Sequence, residues 1–226
     1  MSSRNSAGSA QPRLPTAPRI HERLTVLAAA DATFPDEEAV HGIDLEPGTL
    51  TEGGRSLDWE QGRATGVSMA GLAFDRCHLT DLEFSGCDLS TTRFERSTWT
   101  RLSLTDCRAS ALDLSGATLH DVAMVGGRAP HLNLRFAVTE RLWFSGVDLQ
   151  DLDAYGADLR GARFDDCDLT GAQLATANCD GAVLRGCRLA GLRGVAALKG
   201  ATVTGTDLWS VADLLAGALG ITVTRD

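Results

Sequence analysis

The sequence predicts an all-β solenoid, a chain that winds into stacked four-sided turns. The first observation is a period of five. From Trp59 to Leu189 every fifth residue is uncharged, and only Thr139 among these 27 repeat centres is polar. The second observation is that the residue two places before most centres is also apolar or small, while the other three places hold most of the Asp, Arg, Ser, Thr and Gly. A helix repeats near 3.6 residues and a strand repeats at 2, so neither explains this pattern.

Two inward residues in every five imply a chain that turns a corner every five residues. Four corners close a square, so one turn takes 20 residues, and stacked turns pair at the strand spacing of about 4.8 Å. Phe84, Leu104 and Met124 should therefore share one inner column. The interior is expected to be narrow and filled, with no room for a substrate. The corner positions should suit glycine, which tolerates unusual φ, and we expect corners at Gly71, Gly86, Gly116, Gly146, Gly161, Gly171 and Gly181.

The repeat is most regular between Asp148 and Leu189. Four consecutive units there follow or approach the pattern A(D/N)LXX, namely ADLRG at 157–161, ARFDD at 162–166, CDLTG at 167–171 and AQLAT at 172–176. On these units the sequence resembles the pentapeptide-repeat family, and the resemblance covers well over half of the chain. It implies a right-handed quadrilateral β-helix.

The rest of the chain is organised around this coil. Residues 1–18 are rich in Ser, Ala and Pro and are predicted to be a disordered leader. Residues 19–56 are predicted to cap the N-terminal end, because an open solenoid end exposes strand edges, and residues 20–30 favour a short helix. The β-helix is expected over 57–195. Residues 196–226 are predicted to hold the final coil residues with a C-terminal helix and strand.

Two places disturb the five-residue frame. Between Gly126 and Thr139 the repeat weakens, and Pro130 removes a hydrogen-bond donor from the strand ladder. Because the frame continues to Leu189, we expect a distorted turn there and no inserted loop. After Leu189 the frame slips by one residue, so that Leu198 and Val203 are out of phase with the earlier centres.

The sequence does not point to an enzyme or to a metal or cofactor site. Five of the six cysteines lie two places before a centre, and Cys179 lies at a centre, so we interpret all six as small buried apolar residues in preference to disulfide or metal ligands. No histidine is placed with a nucleophile and an acid, and no phosphate-binding glycine motif is present. The five cysteines that lie two places before a centre are Cys77, Cys87, Cys107, Cys167 and Cys187.

Charge and hydropathy restrict the class of partner. The net charge of −9 argues against direct nucleic-acid binding, which requires a basic surface. No segment approaches the roughly 20 apolar residues of a membrane span, and no charged-then-apolar signal peptide opens the chain. A non-enzymatic protein that acts in the cytoplasm and without a membrane is therefore expected.

Acidic residues concentrate in the last third of the coil. Eight lie between Asp148 and Asp180, against only Arg160 and Arg163. One interpretation is an acidic surface that substitutes for DNA phosphate; the other is the ordinary Asp of the repeat, which favours solubility. Arg108, Arg128 and Arg188 share a column with two of these acids, which limits the acidic area to a patch. The candidate partner-binding residues are Asp148, Asp151, Asp153, Asp158, Asp165, Asp166 and Asp168.

The C-terminal segment carries an amphipathic pattern. Ser210 followed by Asp213 is typical of a helix start, Gly220 can end the helix, and residues 221–223 favour a short strand. An apolar helix face at an open solenoid end can either cap its own coil or pair with a second copy. The residues of this face, which are our dimerisation candidates, are Val211, Leu214, Leu215, Ala218 and Leu219.

A coil followed by such a helix and strand resembles the quinolone-resistance pentapeptide proteins, the Qnr group. That resemblance implies a head-to-head homodimer that mimics DNA and binds DNA gyrase or topoisomerase IV, either inhibiting the enzyme or protecting it from poisons. The alternative is a structural or adaptor module with a capped monomeric coil. A third interpretation, self-resistance to a topoisomerase poison, has the same partner as the first.

Overall fold

The protein folds as a parallel β-solenoid of about nine turns with a short C-terminal helix, as the computed structural model over residues 12–20 and 23–223 shows. Ten strands form one continuous parallel sheet along the coil, and two short strands pair separately. Residues 1–11 of the predicted leader lie outside the described residues, as do residues 21–22 and 224–226.

The strands on the long sheet follow one another up the coil. Most are eight residues long, because each continues around one corner of the square. The strands are β1 (Thr25–Ala28), β2 (Ala39–Glu46), β3 (Gly48–Thr49), β4 (Asp58–Thr65), β5 (Val67–Ser68), β6 (His78–Ser85), β7 (Thr98–Thr105), β8 (Thr118–Val125), β9 (Val138–Ser145), β10 (Arg163–Asp165), β11 (Val183–Arg185) and β12 (Thr202–Val203).

The predicted 20-residue stacking is confirmed by the strand register. Phe84 in β6 pairs with Leu104 in β7, and Met124 in β8 pairs with Phe144 in β9. All 27 repeat centres from Trp59 to Leu189 are buried. Apolar side chains therefore stack directly over one another along the axis, where each centre contacts the centres of the turns above and below.

A second inner column lies two places before the centres, and it accepts small hydrogen-bond donors. The hydroxyl of Thr92 donates to the carbonyl of Met69 at 2.8 Å, and the hydroxyl of Ser97 donates to that of Phe74 at 2.9 Å. The thiol of Cys87 lies in the same geometry, 3.1 Å from the carbonyl of Ala64. In each case the acceptor is a repeat centre of the preceding turn, so a buried hydroxyl or thiol is satisfied wherever the repeat places one.

The corners recur every five residues and have a left-handed backbone. All seven glycines predicted to lie at corners have positive φ, between 64° and 77° for Gly71, Gly116, Gly146, Gly161, Gly171 and Gly181, and 60° for Gly86. Asp, Arg and Thr occupy many of the other corners, and Asp166 has a φ of 53°. The corner conformation therefore admits side chains that point into solvent.

The weak stretch of the repeat keeps its register, as predicted. Arg128 bridges both Arg108 and Asp148 with the regular 20-residue spacing, so no residue is inserted. The hydroxyl of Thr139 donates to the carbonyl of Asp158 at 2.9 Å, which satisfies the one polar repeat centre.

The coil begins before the predicted boundary at residue 57. In the segment that was predicted as a cap, β1 and β2 join the same parallel sheet as β4. The predicted helix over 20–30 is wrong for its described part: Thr25–Ala28 form β1 and Ala29–Asp31 form one 3-10 turn. Ala39 pairs with Asp58, and Thr25 pairs with Ile43. The turn from β2 to β4 is therefore one residue shorter than the regular 20, and the turn from β1 to β2 is two residues shorter. These first turns do not keep the five-residue frame of the later ones.

The one-residue slip after Leu189 is confirmed, because the pairing of Val203 with Leu184 is one residue short of a regular turn. The C-terminal end differs from the prediction in its helix and in its strand. Helical turns begin earlier than predicted, with α1 at Gly205–Leu208 and a 3-10 turn before α2 at Ala212–Ala218. Gly220 ends the helix at φ 74°, with a bond from the N–H of Ile221 to the carbonyl of Ala216. The strand predicted at 221–223 is absent, since these residues pair with no strand of the described chain.

Candidate partner-binding surfaces

The seven candidate acids do not form one patch, because the square distributes them around the axis. Asp148 and Asp168 share one column and bridge each other, whereas Asp153 bridges Asn133 on the next side. Asp158 bridges Val138 on the third side, and Asp165 lies in β10 on the fourth. Asp151 and Asp166 lie at two different corners, with φ of 54° and 53°.

Arginines compensate four of these acids. Asp153 accepts from Arg135 at 3.1 Å, and Asp168 accepts from Arg188 of the next turn at 3.4 Å. The other two arginine-compensated acids are Asp158, paired with Arg160, and Asp165, which is 8% exposed and binds Arg163 and the Trp143 indole N–H. The guanidinium of Arg160 holds the pKa of Asp158 below its ordinary value.

Two of the seven candidate acids remain uncompensated. Asp151 lies 3.9 Å from His131, whereas Asp148 and Asp166 have no basic side chain within 4.0 Å among the described residues. Asp148, Asp166 and Asp168 line a shallow groove together with Arg188, which pairs with Asp168. We call this groove the acidic groove. Two of its three carboxylates, those of Asp148 and Asp166, form no ion pair within 4.0 Å among the described residues, although Arg128 is the neighbour of Asp148 in the preceding turn.

The charge density along the coil limits how much of it resembles DNA. Duplex DNA carries one negative charge per roughly 1.7 Å of axis. Residues 57–195 contain nineteen acids and fourteen arginines, a net of −5, over about 33 Å of coil where DNA would carry about 20. Residues 148–180 carry eight acids and two arginines, a net of −6, over about 8 Å where DNA would carry about 5. Residues 36–68, in the first turns of the coil, also carry eight acids and two arginines. These two segments reach the density of DNA, whereas the coil as a whole does not.

The C-terminal apolar surface divides the dimerisation candidates into two groups. Val211 is fully buried in the core of its own coil, and Leu215 packs against that core, so these two residues cap the solenoid. Leu214, Ala218 and Leu219 are exposed, with Leu219 at 76%. Trp209, which the helix pattern did not include, is 82% exposed. The apolar surface that is open to a partner therefore lies around Trp209, Leu214 and Leu219.

A column of alternating acids and arginines along one corner was missed by the sequence reasoning. Arg101 binds both oxygens of Asp81 at 2.6 Å, and Arg141 binds both oxygens of Asp121 at 2.6 and 2.8 Å. The four residues follow one another at the stacking interval of one turn, and we call them the corner column. The alternation of Asp and Arg at this interval was the signal that could have identified it. The two carboxylates also accept hydrogen bonds from backbone N–H groups of the N-terminal segment 12–20.

Asp121 should make the fold sensitive to acid. The hydrogen bonds from Arg141 lower the pKa of Asp121 to about 2, against the opposing effect of burial and with help from the N–H of Thr16. Because the folded pKa is depressed, this stabilisation is complete above about pH 4 and is lost as the pH falls towards 2. At pH 7 we expect Asp121→Asn to lower the free energy of unfolding by about 1–2 kcal/mol, since one pKa unit is about 1.4 kcal/mol and the exposed third of Arg141 is screened by solvent.

The measurement is urea unfolding of the wild type and Asp121→Asn at pH 7, 4 and 2. The difference between the two proteins should shrink between pH 4 and 2. A difference that stays constant over this range would contradict the assignment of the stabilisation to the Asp121 charge.

The cysteines are structural. All six are buried thiols without disulfides, and burial raises the pKa of Cys77 and of Cys179 to about 11, which keeps both protonated at neutral pH. Among residues 12–20 and 23–223 no group of three or more metal-ligating side chains is found. Within the same residues no helix is long and apolar enough to cross a membrane.

Comparisons with known proteins agree with the repeat pattern. Residues 77–153 match the family model described as a pentapeptide repeat region, and residues 144–178 match the one described as pentapeptide repeats in eight copies. No curated protein matches the sequence.

Among solved structures, trypsin-treated QnrB1, a plasmid-mediated fluoroquinolone resistance protein, is 21% identical, with 88% of this chain and 99% of that chain covered and a TM-score of 0.47. HetL from the cyanobacterium Nostoc sp. strain PCC 7120, a pentapeptide repeat protein involved in heterocyst differentiation regulation, is 18% identical, with 80% and 86% covered and a TM-score of 0.33.

Proposed function

Because residues 77–178 place this chain among the pentapeptide-repeat proteins, we propose that it is a non-enzymatic binding rod whose partner is a type II topoisomerase. The filled core supports a binding role, since apolar side chains of adjacent turns occupy the interior and most charged side chains lie on the outer surface. The rod is about 43 Å long by the strand spacing of nine turns. A protein of this shape acts through its outer surface and offers a partner a long, rigid face.

The observation that supports a topoisomerase is the local charge density around the acidic groove. A DNA-binding saddle attracts phosphate with basic side chains, and a competitor must present negative charge at a similar spacing. Residues 148–180 reach that spacing, and Asp148 and Asp166 there form no ion pair within 4.0 Å among the described residues. The arginine-compensated acids of the other sides contribute less, because each such pair is nearly neutral at a distance. Asp148 and Asp166 are therefore the acids that we assign to the partner.

The test is a DNA gyrase supercoiling assay with the purified protein, with and without a quinolone. We expect dose-dependent inhibition of supercoiling or rescue from the drug. The combined variant Asp148→Lys and Asp166→Lys should raise the concentration for half-maximal effect at least tenfold, equivalent to about 1.4 kcal/mol of binding. The matched control is Glu37→Lys with Glu38→Lys, which changes the net charge equally at exposed residues in the N-terminal turns and should stay within twofold.

A second candidate function is an adaptor or scaffold, and the cross-turn arginine pairs favour it. They give most of the coil a mixed surface that suits a protein partner of ordinary charge. Absence of any effect on supercoiling at high protein excess would select this function. Light scattering separates the two further. The topoisomerase proposal includes a homodimer through Leu214, Ala218 and Leu219, and a mass of one chain would count against it.

A further inference from the structure

The N-terminal segment 12–20 lies along the corner column and makes specific contacts there. The N–H of Thr16 donates to Asp121 Oδ1 at 2.7 Å, and the N–H of Arg19 donates to Asp81 Oδ1 at 2.8 Å. The two donors are three positions apart in the segment, whereas the two acceptors are two full turns apart in the coil. The segment therefore runs parallel to the axis of the solenoid and across its strands.

The spacing of these contacts is that of a polyproline II helix. Such a helix has three residues per turn and rises about 3.1 Å per residue, so groups three residues apart are separated by about 9.3 Å. Two turns of the coil span about 9.6 Å at the strand spacing. Pro12, Pro15 and Pro18 recur every third residue and restrict φ to the polyproline II value. Two N–H groups three residues apart in the segment are therefore separated by nearly the same distance as Asp81 and Asp121, which lie two turns apart in the corner column.

Burial shows the same threefold period. Pro12, Pro15 and Pro18 are half-buried, whereas the four residues between them are exposed. One edge of the segment thus faces the coil with its prolines, and the N–H that follows Pro15 and the N–H that follows Pro18 meet a carboxylate. The four exposed residues are Arg13, Leu14, Thr16 and Ala17.

The coil side of the contact is rigidly prepared. Asp81 and Asp121 are buried at left-handed corners, and Arg101 and Arg141 of the neighbouring turns hold both oxygens of each carboxylate. The same column continues with Gly161 and Gly181, which have no side chain to accept a further N–H. Asp81 and Asp121 therefore accept two backbone N–H groups, and the two donors lie three residues apart in the bound segment.

We propose that the corner column is a binding site for proline-rich segments in the polyproline II conformation, occupied here by residues 12–20 and open to a Pro-x-x-Pro segment of a partner protein when they leave. This site goes beyond the proposed topoisomerase function and lies on a different corner from the acidic groove. Recognition rests on backbone N–H groups and on proline at every third residue. The tethered segment has a high effective concentration, so it competes strongly with a partner.

The test uses full-length variants and one labelled peptide with the sequence of residues 12–20. Thr16→Pro with Arg19→Pro removes the two N–H donors and keeps the polyproline II backbone. The matched control, Ala17→Pro with Ile20→Pro, adds the same number of prolines at residues whose N–H makes no hydrogen bond to the described coil. It leaves Leu14 in place, because trypsin does not cleave an Arg–Pro bond. Release of the tethered segment is read from trypsin cleavage of the Arg13–Leu14 bond, and peptide binding from fluorescence anisotropy.

We expect cleavage at least tenfold faster in the Thr16→Pro, Arg19→Pro variant than in the wild type and the control. The peptide should bind that variant at least tenfold more tightly than it binds the wild type or the control. Asp81→Ala with Asp121→Ala added to that variant removes both acceptors and should abolish the gain. The proposal is overturned if cleavage does not accelerate, if the released site binds no peptide, or if the peptide binds all three proteins equally.

Discussion

Replacing Gly127 with alanine is expected to lower the free energy of unfolding by about 3 kcal/mol or more. Gly127 occupies the sequence position two places before the centre Ala129, but it is exposed and has a φ of 72°. A Cβ atom there would lie 2.2 Å from the carbonyl oxygen of Cys107 and 2.7 Å from its nitrogen, so backbone would have to move. The left-handed conformation costs an L-residue about 1–2 kcal/mol, and the shift of backbone that the added Cβ forces costs about 1–3 kcal/mol more.

Gly146→Ala provides the matched control for the left-handed backbone alone. Gly146 has a φ of 64° but no atom within 4 Å of an added Cβ. Its corner column contains Asp106 and Asp166 at φ of 51° and 53°, so side chains are accepted there. We expect a loss of about 1 kcal/mol. Urea unfolding followed by circular dichroism measures both variants, and similar losses for the two would show that the contact with Cys107 is not what requires glycine.

The second large effect is expected at Phe94. This ring is fully buried, stacked on Phe74 at 5.1 Å between centroids and edge-on to Trp99 at 5.1 Å. Truncation of a buried Phe to Ala leaves a cavity and typically costs about 3–5 kcal/mol. Each turn contacts only the turns above and below, so the cavity loosens the stacking of the coil at that level. Phe94→Ala should therefore lower the urea midpoint strongly.

Phe136→Ala is the control for the same truncation on the surface. Phe136 occupies a corner, is 57% exposed, and contacts Tyr155 and Arg135. Its replacement removes little buried area, and a loss within about 1 kcal/mol is expected. If Phe94→Ala were as mild as Phe136→Ala, the aromatic stack would not be the element that stabilises the N-terminal half of the coil.

The predicted acidic patch shows how far the sequence could go toward the candidate site. The concentration of acids between Asp148 and Asp180 was visible along the chain, but their positions around the square and their partners were not. Asp153 is compensated by Arg135 of the preceding turn, and Asp168 by Arg188 of the following turn. Because such partners come from an adjacent turn, a count of charges in a window cannot separate compensated acids from Asp148 and Asp166.

The ends of the chain were predicted less well than the middle because their turns are irregular. β1 and β2 join the sheet with steps shorter than a regular turn, which removes the five-residue frame that identified the other turns. At the C-terminus the amphipathic pattern was recognised, but it did not distinguish Val211, which is buried in its own coil, from Leu219, which is exposed. The corner column was also missed, although Asp and Arg alternate there at the stacking interval.

By itself the sequence determined the four-sided coil, its inner columns and its corners. It did so because the size and polarity of side chains repeat every five residues, and a filled core admits only one placement of such a pattern. The tertiary structure alone decided which acids are free, how the first two turns join the sheet, and where residues 12–20 lie. Those outcomes depend on contacts between groups that are far apart in the chain, such as Thr16 and Asp121, whose pairing is set by the stacking of complete turns.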